Sequence, residues 1–326
     1  MKEMKVMMLQ LLGKMTKNEH VKTSPSSVEG MMNTEKEDIL IAGGFSFDFK
    51  KNAEIFSWKE KEWFETASMD YEPFTASSFI YNDNLFVVGG GYKSMETLNI
   101  KQLPLTWRRF PTEFPCVCWG HQTVVYKQQI FFIGGWIGGK GSDLISEMKI
   151  TGTTSLVLKE LCHMPEPRHG HGAVVVDDKV LIFGGYGKDK VLSSVLEFDP
   201  RTLTFKEMPP LPYPLTAMAT VQWRDQVVLL GGDYDGEYLN SVIMYDCNTG
   251  KITFLPSMLE KRNQCFAVIT GDTIVIMGGE NENGKYLTSV ECFKMGSSSS
   301  WTYLPSMKKS RVGAIAEVLP FGQNYV

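Results

Sequence analysis

The sequence lacks features that mark several large functional classes. Its 326 residues carry a net charge of −4 and a pI of about 5.8, so it has no basic excess of the kind that binds nucleic acid. No apolar run approaches the length of a membrane span. The six cysteines have no disulfide-scaffold spacing, so we expect free thiols in a reducing compartment and predict a cytoplasmic protein.

Motifs of catalysis and cofactor binding are also missing. There is no GxSxG nucleophile elbow and no GxxxxGK[ST] phosphate loop. Cys116 and Cys118 form CxC without a second pair, which is not the spacing of a zinc site. His121 and His171 hold matching places, but the only other possible ligand at those places is Cys265. We therefore predict no catalytic residue, no cofactor and no metal, and expect both histidines to be hydrogen-bonded structural residues.

What the sequence does contain is a repeat built on glycine pairs. Six short apolar runs each end in a doublet, at spacings of 45 to 50 residues: Gly43-Gly44, Gly89-Gly90, Gly134-Gly135, Gly184-Gly185, Gly231-Gly232 and Gly278-Gly279. Such runs, rich in β-branched and aromatic residues, are typical of strands buried on both faces. A fixed period of this size indicates a propeller or similar array.

Further matched positions in each period predict four strands. A large side chain lies near the end of the second strand, and another follows in the third: Trp63, Trp107, Leu156, Phe205, Ile252 and Trp301. A fourth strand then leads through a tight turn into the next doublet strand. The last such strand, Arg311–Leu319, has no doublet after it, and Asp38–Gly44 has no partner before it. Pairing these two would close a ring of six blades and remove both open edges.

Residues 1–36 do not fit the repeat. Met4–Met15 is rich in Met and Leu with Lys at intervals, and the stretch after it is polar. We expect an N-terminal extension made of a short amphipathic helix and a linker. The alternative is a signal peptide, which Glu3 and the absence of a nearby cleavage site disfavour.

The doublets, the Trp of the third strand and the segment PRHGHGAVVV at residues 167–176 resemble kelch repeats over residues 37–326. No Trp-Asp dipeptide supports the competing WD40 family. The resemblance implies an all-β, six-bladed kelch-type β-propeller of four-stranded blades. The pattern is most similar to the propellers of BTB–kelch adaptors, in which BTB and BACK domains engage a cullin ubiquitin ligase and the propeller holds the substrate. Thirty-six leading residues are too few for those domains, so a cullin link is expected only if they lie upstream.

Two sets of loops should share one face of this propeller, and kelch adaptors bind their substrates there. Aromatic and Arg side chains are favoured at binding hot spots. We predict the following partner-binding residues on this face: Phe45, Tyr92, Trp136, Arg168, Tyr186, Tyr213, Tyr234, Arg262, Tyr286 and Arg311. The alternative for any one of them is structural, with Arg paired inside a blade and aromatics wedged between blades.

The predicted function is therefore non-catalytic binding of a protein or peptide. Acidic loops near the fifth and sixth doublets and basic loops elsewhere suit a short peptide better than nucleic acid. Two other functions known among kelch proteins stay open. One is a cytoskeletal scaffold that binds actin, and the other is a propeller enzyme such as a sugar epimerase.

Overall fold

The computed structural model of the chain describes residues 36–46, 51, 53–152, 154–320 and 325. The predicted N-terminal extension, residues 1–36, lies outside these ranges except for Lys36. All regular elements in the described ranges are β-strands, and they belong to the unit Glu35–Val326.

The strands are short, as the spacing of the doublets requires. In the first half of the chain they are β1 Ile39–Ala42, β2 Ala53–Ser57, β3 Glu62–Thr66, β4 Ser77–Tyr81, β5 Asn84–Val88, β6 Glu96–Asn99, β7 Trp107–Arg109, β8 Cys118–Trp119, β9 Gln122–Tyr126, β10 Gln129–Ile133, β11 Trp136–Ile137, β12 Lys140–Gly141, β13 Leu144–Thr151 and β14 Ser155–His163. In the second half they are β15 Gly172–Val176, β16 Lys179–Phe183, β17 Val195–Asp199, β18 Thr204–Met208, β19 Ala219–Trp223, β20 Gln226–Leu230, β21 Asp233–Tyr234, β22 Glu237–Tyr238, β23 Val242–Asp246, β24 Ile252–Leu255, β25 Phe266–Thr270, β26 Thr273–Met277, β27 Val290–Lys294, β28 Thr302–Leu304 and β29 Ile315–Val318.

Six antiparallel four-stranded sheets form the blades, which confirms the predicted all-β kelch-type propeller. From the innermost strand outwards, blades 1 to 6 are β29-β1-β2-β3, β4-β5-β6-β7, β9-β10-β13-β14, β15-β16-β17-β18, β19-β20-β23-β24 and β25-β26-β27-β28. Within the described ranges the five remaining strands are short and lie in loops, as the separate sheets β8-β11-β12 and β21-β22. The sequence did not predict them.

The end of the chain pairs with its beginning, as the ring hypothesis requires. Strand β29 lies antiparallel to β1, with Ile315 opposite Ala42 and Val318 opposite Ile39. The innermost strands also contact each other in succession from β4 to β29, and β29 returns to β4. The ring is therefore closed.

A circle of backbone hydrogen bonds joins the six blades where their innermost strands begin. One residue in each blade adopts a positive φ of 51° to 62°, and its N–H donates to the carbonyl of the matching residue in the preceding blade at 2.7 to 3.0 Å: Thr75, Gly120, Gly170, Ala217, Gln264 and Gly313. The last bond of the circle runs from the Thr75 N–H to the Gly313 carbonyl, 2.9 Å away. These turns set the width of the channel at that end.

The doublets are glycine because neighbouring blades approach them closely. Gly184 has a φ of +53°, and a Cβ added there would lie 2.3 Å from the Leu215 carbonyl oxygen. The next residue, Gly185, donates its N–H to the same oxygen at 2.8 Å. The second glycine of every doublet makes this bond to the following blade. A side chain at either place would push the blades apart.

The core consists of six apolar clusters, one between each pair of adjacent blades. Towards the outside, aromatic side chains also bond across blades. The indole N–H of Trp63 donates to the Pro305 carbonyl at 2.7 Å, and that of Trp301 donates to Pro256 at 2.8 Å. These contacts explain why large side chains recur in the second and third strands.

Candidate partner-binding face

A ring of paired residues borders the mouth of the central channel, and we call it the rim. In five blades the residue after the doublet pairs with the residue before the positive-φ turn: Phe45 with Val312, Trp136 with Trp119, Tyr186 with His169, Asp233 with Thr216, and Glu280 with Asn263. In blade 2 the residue after the doublet is Gly91. The rim surrounds a central cavity of about 870 Å³. Backbone pairs therefore hold the main chain of both members of each rim pair in place.

Four aromatic residues of blades 3 and 4 lie side by side on this rim, and we call them the aromatic sector: Trp119, Trp136, His169 and Tyr186. The Trp136 ring meets His169 edge-on at 5.1 Å, and the Tyr186 ring lies 5.4 Å from His169 on the other side. All four line the cavity, and the two Trp and Tyr186 are 36 to 38% exposed. Gly91 makes room for Trp119, since a Cβ there would lie 3.0 Å from the indole nitrogen.

The charges of the face divide by blade. Exposed lysines stand in the loops of blades 2 to 4: Lys93, Lys140, Lys188 and Lys190. Acidic residues stand in the loops of blades 5 and 6, and we call them the acidic sector: Asp233, Asp235, Glu237, Glu280 and Glu282. Within the described ranges none of the four lysines forms an ion pair, whereas Glu282 pairs with Lys261. In the loops that follow the doublets, blades 2 to 4 are thus net positive and blades 5 and 6 are net negative.

The other predicted aromatic residues form separate pairs. Phe45 packs edge-on against Tyr286, with ring centres 5.7 Å apart. Tyr234 lies 5.6 Å from Tyr213, whose hydroxyl is hydrogen-bonded to that of Ser241. These four rings are half-buried. Tyr92 packs against Tyr71 with the rings tilted and their centres 5.0 Å apart, and it stays 38% exposed. The structure therefore groups only Trp136 and Tyr186 of the predicted set in the aromatic sector.

The three predicted arginines are not on the surface, and this part of the prediction needs correction. Arg168, Arg262 and Arg311 are at most 2% exposed. The guanidinium of each donates to the carbonyl of the first glycine of its own blade's doublet, at 2.9, 2.8 and 2.7 Å. Burial lowers the pKa of Arg168 and of Arg311. Each of these side chains connects parts of its own blade and is not available to a partner.

Buried glutamates compensate two of these arginines. Arg262 donates to Glu291 at 2.9 Å, and Arg311 donates to Glu54 at 3.0 Å. Both carboxylates are fully buried, Glu291 in β27 and Glu54 in β2, the third strand from the centre of the same blade. Glu291 also accepts backbone N–H bonds from the turn before its blade's innermost strand. Each pair satisfies two charges that would otherwise be costly to bury.

Arg168 has no such glutamate, because Leu196 takes the matching place in blade 4. Its guanidinium is instead bonded to the Ser194 hydroxyl at 2.7 Å and to Glu166 at 3.4 Å. In the described part of the chain its Nε has no hydrogen-bond partner. Blade 4 therefore has the least compensated of the three buried arginines.

The two matched histidines are structural but are not held as predicted. His121 stacks on Phe132 at 4.5 Å, and both histidines are 1% exposed. Burial lowers the pKa of each to about 3, so both are neutral at physiological pH. The ring nitrogens of His171 lack a hydrogen-bond partner among the described residues, which corrects the expectation of a bonded ring. The described ranges also contain no cluster of three metal-ligating side chains.

Sequence reasoning missed Trp119 and His169 as members of the face. Each stands directly before the Gly-His pair of its blade. That position turns out to be the partner of the residue after the doublet. The signal was present in the repeat, but it required the pairing register, which the sequence pattern alone did not supply.

Comparison with known proteins agrees with the kelch-type fold. A family model described as the KLHDC2/KLHL20/DRC7 Kelch-repeats domain matches residues 120–316, more than half of the chain. A solved structure titled "Structure of YjhT" superposes with a TM-score of 0.64 at 19% identity, covering 74% of this chain and 86% of that one. At that identity the likeness concerns the fold alone. No curated protein matched the chain. Across the described ranges no helix has the length and hydropathy to cross a membrane.

Proposed function

Because the chain belongs to the kelch-repeat family, we propose that it is a non-catalytic interaction module that binds a protein or peptide segment at the rim. The observation that carries the proposal is the aromatic sector. Three large side chains remain exposed there on a rigid backbone ladder, beside a cavity large enough to accept a side chain. Rigid aromatic anchors of this kind lose little conformational entropy on binding.

The proposed role resembles that of the substrate receptor in a cullin-RING ubiquitin ligase adaptor. The family match and the loop-rich face favour it. A direct link to a cullin is proposed only for a product that also carries BTB and BACK domains. The six cysteines are free thiols, in keeping with the cytoplasmic location that we propose.

The test compares the partners captured by the wild-type chain with those captured by Trp136→Ala and Tyr186→Ala. Each substitution removes an exposed ring of the aromatic sector, and we expect a loss of about 2 kcal/mol of binding free energy per hot-spot residue. The matched control is Tyr303→Ala, because Tyr303 is exposed on the outermost strand of blade 6. Partners that survive both sector substitutions in folded protein would refute the site. Co-sedimentation with actin filaments would favour the scaffold function instead.

A further inference from the structure

Exposed apolar side chains are concentrated in one part of the face. The large ones among the described residues are Tyr92, Leu103, Trp119, Trp136, Val157, Tyr186, Leu259 and Tyr303. Three of them line a single cavity, together with His169. Scattered exposed apolar residues are ordinary, but a contiguous group around a concave site marks a contact surface. A partner should therefore insert an apolar side chain here.

The loops that follow the doublets near this group carry an excess of positive charge. Those that follow the doublets of blades 2 to 4 contain four lysines against two acids, Asp143 and Asp189. Asp143 is already bonded to His163 at 2.9 Å. The corresponding loops of blades 5 and 6 contain five acids against one lysine, Lys285. An anionic ligand is thus attracted to one half of the rim and repelled from the other half.

The hairpin β11–β12 brings the aromatic and basic features together. Trp136 pairs with Gly141, and Ile137 pairs with Lys140. At its tip Gly138 and Gly139 have no heavy atom within 4 Å of the place a Cβ would take. The tip therefore projects freely, and it carries an exposed lysine one pair along the ladder from Trp136.

We propose that the aromatic sector and its lysines bind a peptide segment in which acidic residues flank one large apolar side chain. The apolar side chain enters the cavity mouth against Trp136 and Tyr186, and the carboxylates meet Lys140 and Lys188. This inference rests on the proposed function, and it adds the chemistry of the partner. Single-stranded nucleic acid also combines negative charge with stacking. Its long run of phosphate charges is disfavoured, because Asp233 of the acidic sector lines the same cavity and the chain's net charge of −4 gives no extended basic surface.

The experiment selects short peptides from a displayed random library on the whole chain. We expect the selected peptides to share one large apolar residue next to Asp or Glu. Synthetic copies should bind more weakly as salt rises from ~0.05 M to ~0.5 M, since the screening length shortens severalfold. Trp136→Ala should weaken binding about thirtyfold, as for a hot-spot side chain. Lys140→Glu and Lys188→Glu should each weaken peptide binding by at least about twofold.

Matched controls lie on outer strands, away from the face. Lys206→Glu changes the same charge on the outermost strand of blade 4, and Tyr303→Ala removes an exposed ring from blade 6. Neither should change the affinity. Circular dichroism and the unfolding midpoint show that each variant is folded.

Three outcomes would overturn the inference, and they differ in what they leave standing. Selected peptides without acidic residues, whose affinity is nevertheless lost in Trp136→Ala, would refute the charge preference and keep the proposed function. Peptides whose affinity is the same for the wild type and for every variant of the aromatic sector and its lysines would refute the proposed function as well. Tighter binding of a labelled oligothymidylate than of the peptides, sensitive to the same substitutions, would replace the peptide with single-stranded nucleic acid.

Discussion

At the scale of single residues, the buried arginines show how a loop position can mislead. Arg262 lies in a connection between strands, where a charged side chain is ordinarily exposed. Its partner is Glu291, which the sequence shows as a charged residue inside the largely apolar strand VECFK. Such an acid needs a buried cation or several hydrogen-bond donors to offset its burial. The pair is therefore recognisable from two distant positions but not from the arginine alone.

Removing Arg262 should destabilise the protein strongly. Arg262→Met leaves the Glu291 carboxylate buried without its cation, and we expect the free energy of unfolding to fall by about 3–5 kcal/mol. Adding Glu291→Gln should recover part of that loss, because it removes the uncompensated charge and its amide oxygen can still accept one of the two backbone N–H bonds that Leu259 and Glu260 donate to separate carboxylate oxygens. Urea denaturation of both variants checks this. A double variant no more stable than the single one would show that uncompensated charge is not the cause.

Glu317 should make stability depend on pH. It lines the central cavity and accepts a hydrogen bond from the Ser78 hydroxyl, and burial raises the pKa of its carboxyl from 4.5 to about 7. Its contribution to stability is fully present below the unfolded pKa and is lost as pH rises through about 7. Glu317→Gln should therefore raise the free energy of unfolding at about pH 8 by up to about 3 kcal/mol, with little change near pH 4.

The comparison must be made against the wild type at each pH, because His121 and His171 act in the opposite direction. Burial lowers the pKa of both from 6.5 to about 3, so the stability they contribute is present above 6.5 and lost on acidification. The difference between wild type and Glu317→Gln cancels these terms. Denaturation curves that show the same difference at both pH values would contradict the assignment to Glu317.

At the scale of elements, each doublet acts as a junction between blades. The strands could be predicted because the apolar residues of a run such as KVLIFGG indicate a buried strand, and the two glycines mark its end. The short strands β8, β11, β12, β21 and β22 could not, because two-residue pairs carry no periodicity. The aromatic sector could not be predicted for the same reason, because Trp119 and Trp136 are brought together by the pairing of β8 with β11.

Adding one methyl group at a junction tests this view. Gly184→Ala places a Cβ 2.3 Å from the Leu215 carbonyl, and the positive φ adds strain. We expect a loss of more than about 2 kcal/mol in the free energy of unfolding. The control is Gly236→Ala, which has a φ of +80° but no atom within 4 Å and should cost about 1 kcal/mol. Equal losses in thermal or urea unfolding would mean that backbone strain alone explains both.

At the scale of the whole molecule, closure makes the rim possible. The rim pairs come from five of the six blades, and they meet at one mouth only because the circle of turns is complete. Closure was predictable from the unpaired strands at the two ends of the repeat. The division of the face into an aromatic, basic half and an acidic half depends on which loops become neighbours, and only the structure shows that.

The central claim is most directly tested by hydrogen exchange at the amides of the circle, in the whole chain and after deletion of residues 311–326. The deletion removes Gly313 and the strand that closes blade 1. We predict that the amides of Gly170 and Ala217, in distant blades, then lose protection by about tenfold or more, since the circle is one cooperative unit. Unchanged protection at those two amides would contradict a closed ring on which the rim depends.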